Sequence, residues 1–93
     1  MSHNKYFFIG VGGIGMSSIA SYLIDTKNIV FGYDRSSNKL VDKLIDNGLK
    51  FTDKLDIGLV PQEFLDDNGL VVYTPAIKND NVFLDFFSNK KRN

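Results

Sequence analysis

Cysteine is absent from these 93 residues, which excludes disulfide cross-links and thiolate metal sites. The single histidine, His3, stands near the N-terminus without a His, Cys or clustered carboxylate partner at ligand spacing. Neither a metal site nor a Ser/His/Asp or Cys/His catalytic pairing can be built from it. An excess of charge is missing too: 11 basic residues balance 11 acidic ones. A nucleic-acid platform would usually carry a basic face, so no nucleic-acid partner is expected. No apolar run approaches the roughly 18 residues of a membrane-spanning helix, so no membrane partner is expected either. Phe7-Phe8-Ile9 runs straight into glycines and gives no signal-peptide pattern. A cytoplasmic location is therefore expected. There is also no G-x-x-x-x-G-K-[ST] loop for the γ-phosphate of ATP.

What is present is a hydrophobic fraction of 43%, with eight Phe and four Tyr, enough for one packed core. A single domain over residues 1–93 is expected. A chain of this size buries about 60–65% of its unfolded surface, so its stability should be modest. Short apolar runs alternate with amphipathic stretches. Residues 5–9 read as a first strand buried on both faces. Met16, Ile19, Ala20, Leu23 and Ile24 recur at helical spacing up to about Asp25. Residues 29–33, rich in β-branched and aromatic side chains, form a second strand. Ser36, Ser37 or Asn38 caps a second helix with Leu40, Val41, Leu44 and Ile45 as its apolar face, and Asn47-Gly48 stops it.

Residues 49–52 are a weaker third strand, and residues 53–60 carry no clear signal. Pro61 suits the first turn of a short helix over residues 62–65. Asp66-Asp67-Asn68-Gly69 marks a solvated turn. Residues 70–73 form a fourth strand, broken by Thr74-Pro75. Asn79 or Asp80 caps a last helix with Val82, Phe83, Phe86 and Phe87 on one face. Residues 88–93 are polar and basic; Lys90-Lys91-Arg92 reads as a soluble helix end, expected to fray over 89–93.

This alternation predicts an α/β fold: a Rossmann-like parallel sheet of about four strands in order 3-2-1-4, with helices on both faces. A last helix in this topology normally leads to a fifth strand. None follows, so the chain reads as a fragment of a longer protein. Strand 4 would then be an exposed edge, open to self-association with a second copy.

The ligand should sit beyond the carboxyl ends of strands 1 and 4, where the strand order reverses. Three segments converge there: residues 10–16, 33–36 and 73–77. The first holds Gly10-Val11-Gly12-Gly13-Ile14-Gly15, a G-x-G-x-x-G match set between a strand and a helix. Glycines let the backbone turn tightly and approach a ligand, and the helix start offers N–H groups to an anion. A diphosphate is the natural guest. Asp34, ending strand 2, is placed to accept hydrogen bonds from a ribose; a turn or helix-capping role is the alternative. Ser17 and Ser18, in the first helical turn, are candidates for a phosphate oxygen or simply for close packing. Arg35 either meets a phosphate or stays solvated.

The string from Phe8 to Ser17 is more specific than G-x-G-x-x-G. It resembles the opening of the Mur ligase family, in the branch that joins L-alanine to UDP-N-acetylmuramate. Gly32-Tyr33-Asp34, residues 71–77 (Val-Val-Tyr-Thr-Pro-Ala-Ile) and residues 78–81 agree with it in order and spacing. The resemblance covers nearly the whole chain but only the first of three family domains, the one that binds UDP. It implies that Gly12, Gly13, Ile14, Gly15 and Met16 wrap the diphosphate with Ser17 close by. It places Asp34 and Arg35 on the uridine side and Thr74, Pro75, Ala76 and Ile77 on the opposite wall.

By the same resemblance, a central domain binds ATP and magnesium and activates the muramate carboxylate, and a third domain helps place the alanine. No cofactor is expected in this domain, and without the family's G-K-T loop the chain alone should not catalyse ligation in peptidoglycan synthesis. Several positions depart from the pattern. Phe7 replaces a usual His, Tyr33 a Ser and Pro75 a Ser, and Val82-Phe83 stands where Pro-Glu is frequent. Two rival readings remain. One is an NAD-binding domain of a dehydrogenase or regulatory sensor, since Asp34 suits an NAD ribose equally well. The other is a non-binding remnant that only supports assembly.

Overall fold

Four strands form one parallel sheet in a computed structural model that describes residues 5–66, 69–78 and 80–91. They are β1 (Lys5–Ile9), β2 (Ile29–Tyr33), β3 (Lys50–Thr52) and β4 (Leu70–Val72), and they lie in the order β3-β2-β1-β4. The connections are α1 (Ile14–Asp25), α2 (Lys39–Asp46), a 3-10 turn at Ile57–Leu59 and α3 (Gln62–Asp66); α4 (Val82–Lys91) follows β4. The order and the parallel sense are those expected from right-handed crossovers. Among the described residues no fifth strand joins the sheet, and no helix is long and apolar enough to cross a membrane.

Side chains of a strand point alternately to opposite faces, so an apolar strand must be covered twice. On one face Phe8 and Val30 pack with Val11, Met16, Ala20, Val41, Leu44 and Leu49, under α1 and α2. On the other, Phe7, Ile9, Phe31 and Tyr33 pack with Val60, Phe64, Phe83, Leu84 and Phe87, under α3 and α4. Phe7 is the hub of this aromatic layer. Its ring centroid lies 5.0 Å from Phe31, 5.2 Å from Phe83, 4.8 Å from Phe87 and 5.8 Å from Phe64. Such a dry site suits phenylalanine better than imidazole, which would need a hydrogen-bond partner there.

The helix ends obey local chemistry. Asn38 caps α2 by accepting from the Val41 N–H at 2.9 Å. After α2, Gly48 takes φ 121°, with Gly48 N–H donating to Ile45 and Leu49 N–H to Leu44. This is a Schellman stop. Helix α1 stops the same way, but with Lys27 at φ 71° in the glycine position. Its N–H donates to Ile24 and that of Asn28 to Leu23.

Several expectations are corrected. The cap of α4 is Asn81, whose side chain accepts from Phe83 and Leu84 N–H at 2.9 and 3.2 Å; it is not Asp80, and Asn79 lies outside the described residues. Ile19, Leu40, Ile45 and Val82 are exposed, so three helices bury narrower faces than their apolar residues outline. The third strand pairs from Lys50, not Leu49, and the fourth ends at Val72, not Tyr73. His3, Asp67 and Arg92 also lie outside the described residues.

Candidate functional site

The chain leaves β1 through Gly10, whose φ of 91° belongs to the left-handed region that glycine tolerates. Gly10 and Val11 both donate to the Tyr33 carbonyl, at 2.8 and 3.0 Å, which ties the loop to the end of β2. Val11 then folds over Gly32. A Cβ at position 32 would lie 2.9 to 3.1 Å from three Val11 side-chain atoms, so this strand glycine is a seat for the loop.

At position 12 the backbone is pinched. Its N–H donates to Asp34 Oδ2 at 2.8 Å, and its carbonyl accepts from Asn38 Nδ2 at 3.4 Å. The other Asp34 oxygen accepts from Ser36 N–H at 3.3 Å. Asp34 is thus engaged with backbone, in the turn role, and holds the glycine loop itself.

Helix α1 begins at Ile14 with Gly13 as N-cap, no side-chain cap and no acidic residue in its first turn. The positive end of its dipole therefore meets no counter-charge from the helix's own first turn. Gly15 sits in that turn, and a Cβ built on it would meet nothing within 4 Å. The third glycine of such a motif commonly serves close helix–strand packing. Here it does not. Ile14 is 81% exposed beside it. Met16 and Ser17 face inward and are buried, and the Ser17 hydroxyl donates to the Ile14 carbonyl at 3.0 Å. Ser17 and Ser18 border a shallow groove between α1 and α2.

Next to the loop lies a half-open cleft of about 700 Å³ beyond the carboxyl ends of the strands. Gly10, Tyr33, Asp34 and Arg35 form one side, and Ala76, Ile77, Lys78, Asp80, Asn81 and Val82 the other, with Leu55 between. The Ile77 side chain comes within 3.3 Å of where a Cβ on Gly10 would stand, so the two walls touch at the base. The Thr74 hydroxyl accepts from Ala76 N–H at 3.3 Å and shapes that wall. Tyr33 packs edge-on against Phe83, with ring centroids 5.3 Å apart. Burial raises its pKa above the ordinary 10.0, and the Asp34 and Asp53 carboxylates push the same way against a lowering by Arg35. At neutral pH it is a neutral hydroxyl. Among the described residues no group of three or more His, Cys, Asp or Glu could hold a metal ion.

The cleft brings together Gly10, Tyr33, Asp34, Arg35, Ala76 and Ile77. Gly12, Gly13, Ile14, Gly15, Met16 and Ser17 stand on the adjoining loop and helix, and Thr74 and Pro75 are not in the cleft lining. Leu55, Lys78, Asp80, Asn81 and Val82 were not anticipated as site residues. For the last four a signal existed: a helix that follows a parallel strand starts at the strand's carboxyl end, where ligands bind. Leu55 lies in the segment without a clear pattern.

Residues 5–90 match the family described as Mur ligase family, catalytic domain. The UDP-N-acetylmuramate–L-alanine ligase of Christiangramia forsetii is 42% identical over 93 residues, covering 97% of this chain and 21% of its own length. That of Flavobacterium psychrophilum is 36% identical over 89 residues, covering 96% and 20%. The solved UDP-N-acetylmuramate–alanine ligase of Thermotoga maritima matches with a TM-score of 0.82 at 27% identity, over 96% of this chain and 20% of that one. The chain thus spans about a fifth of the length of the curated relatives it matches.

Proposed function

The chain belongs to the Mur ligase family, and on that premise we propose that it binds the UDP moiety of UDP-N-acetylmuramate. It would do so for an ATP-dependent ligase that adds L-alanine to that substrate in the cytoplasm. The diphosphate lies against the uncapped start of α1, where the N–H groups of Ile14, Gly15 and Met16 face it. The uridine enters the cleft between the Tyr33–Arg35 and Ala76–Ile77 walls. One observation carries this reading: Gly15 lacks a side chain where no neighbour in the chain requires its absence. An approaching ligand supplies the missing reason.

Arg35 and Lys78 on the cleft rim add positive charge for an anionic guest. The sequence has no G-K-T loop, so no place for ATP and magnesium is proposed in this domain. The NAD reading is the weaker one. It rests on Asp34 taking a ribose, and here that carboxylate already holds the Gly12 and Ser36 N–H groups, so a ribose would have to share it with the loop.

Calorimetric titration with UDP-N-acetylmuramate, UDP and NAD tests the assignment. Binding of both uridine ligands, the sugar nucleotide more tightly, is expected. Binding of NAD alone would overturn it.

A further inference from the structure

We propose that Asp34 and Asn38 are positioning residues that clamp the glycine loop from both sides of Gly12. The proposal rests on the reading of that loop as the diphosphate site, and it concerns what keeps the loop in shape. Glycine-rich backbone has the widest conformational freedom of any segment, so a loop meant to present N–H groups needs something to hold it. Gly10 and Val11 are held by the Tyr33 carbonyl. For Gly12 both polar groups are held by side chains: its N–H by Asp34 at 2.8 Å and its carbonyl by Asn38 at 3.4 Å.

Three details make the clamp specific. A Cβ on Gly12 would stand 2.9 Å from Asp34 Oδ2 and 3.2 Å from Asn38 Nδ2, so the clamp reaches this full closure on glycine, and a side chain there would push both groups outward. Asn38 works at both ends of its amide: Oδ1 caps α2 through Val41 N–H, while Nδ2 reaches the loop. Serine, threonine or aspartate would cap α2 about as well, but none offers an N–H donor from that position. The choice of asparagine is thereby explained by the loop, not by the helix. Asp34 acts through the loop, so its effect on a bound nucleotide is indirect. The start of α2 and the start of α1 become mechanically linked through one residue.

The test uses N38S, which keeps a capping oxygen and removes the amide N–H that reaches Gly12, the serine hydroxyl being too short to replace it. Amide exchange with solvent is measured by NMR on the ligand-free 93-residue chain, and UDP affinity by calorimetry. We expect a melting temperature close to that of the parent and unchanged protection at Val41. Exchange at Gly12 and Gly13, whose amides are hydrogen-bonded, rises at least threefold, and UDP affinity falls roughly three- to tenfold, the scale of one hydrogen bond. D34A gives the same loop signature, and the double variant is no worse than D34A, because both groups hold one residue. Unchanged exchange at Gly12 and Gly13 in N38S overturns the clamp. Failure of the parent chain to bind UDP would instead refute the diphosphate reading, and the exchange data would still decide the clamp.

Discussion

Replacing Gly15 by alanine separates a glycine kept for packing from one kept for a ligand. In the free chain the new methyl meets nothing within 4 Å. Alanine also loses less backbone freedom than glycine on entering a helix, an effect of about 0.5–1 kcal/mol in a helix interior. Position 15 lies in the first turn, so the lower figure applies, about 0.5 kcal/mol of stabilisation. For a domain of this size that raises the melting temperature by roughly 2–4 °C. Helical Cβ atoms tilt toward the N-terminus, the side on which the diphosphate is proposed to lie, so the same methyl should hold a phosphate off and lower UDP affinity. Gly12→Ala is the contrast. Its methyl would lie 2.9 Å from Asp34 Oδ2, so the carboxylate must shift away and its bond to the position-12 N–H weakens or breaks. Losing a hydrogen bond to a carboxylate costs up to about 1.5–3 kcal/mol, which lowers the melting temperature by at most roughly 6–24 °C. Circular-dichroism melts give the stabilities and calorimetry the affinities. A Gly15→Ala variant less stable than the parent would refute the argument, because the glycine would then be a packing residue. So would a more stable variant with undiminished UDP binding.

Further predictions concern stability. Lys27→Gly relieves a left-handed lysine at the end of α1 and should add about 1 kcal/mol, seen as a higher urea midpoint at unchanged slope; an unchanged midpoint would count against it. Gly32→Ala should destabilise by about 1–3 kcal/mol through its collision with Val11, and Val11→Ala should recover part of that loss. Additive effects would show that the two do not meet. Tyr33, with its raised pKa, should titrate above the ordinary 10.0 when absorbance at 295 nm is followed. Its un-ionised form is favoured by folding, so its contribution is fully present below pH 10 and is lost as pH rises through the folded value. Tyr33→Phe should remove that part of the alkaline loss of stability; an identical alkaline profile would contradict the burial of the hydroxyl.

Strand identity was legible because Phe7, Phe8 and Ile9 form an apolar run that only a doubly covered strand can bury. Strand order followed from the handedness of crossovers. Helix caps were legible as classes but not always as residues. Asn79 and Asp80 were the expected caps of α4, and the next residue, Asn81, takes the role by accepting from Phe83 and Leu84 N–H. The stop of α1 was invisible as chemistry, since lysine carries no left-handed signal. At the site, the position of Asp34 could be read from spacing, but its partner could not. That Gly12 N–H takes the carboxylate depends on how the loop folds back over β2, which Val11 and Gly32 decide through shape. The far wall was read as far as Ile77, and its continuation to Val82 required knowing where α4 begins.

The central claim is that the loop and the neighbouring cleft hold one UDP-sugar. Chemical-shift mapping of the isotope-labelled chain during titration with UDP-N-acetylmuramate tests it most directly. The largest amide shifts are predicted at Ile14, Gly15 and Met16, with a second set at Arg35 and Ile77 across the cleft. Shifts centred instead on Ser21 and Lys43, in the groove between α1 and α2, would contradict the account, as would a response to NAD without one to the uridine nucleotide.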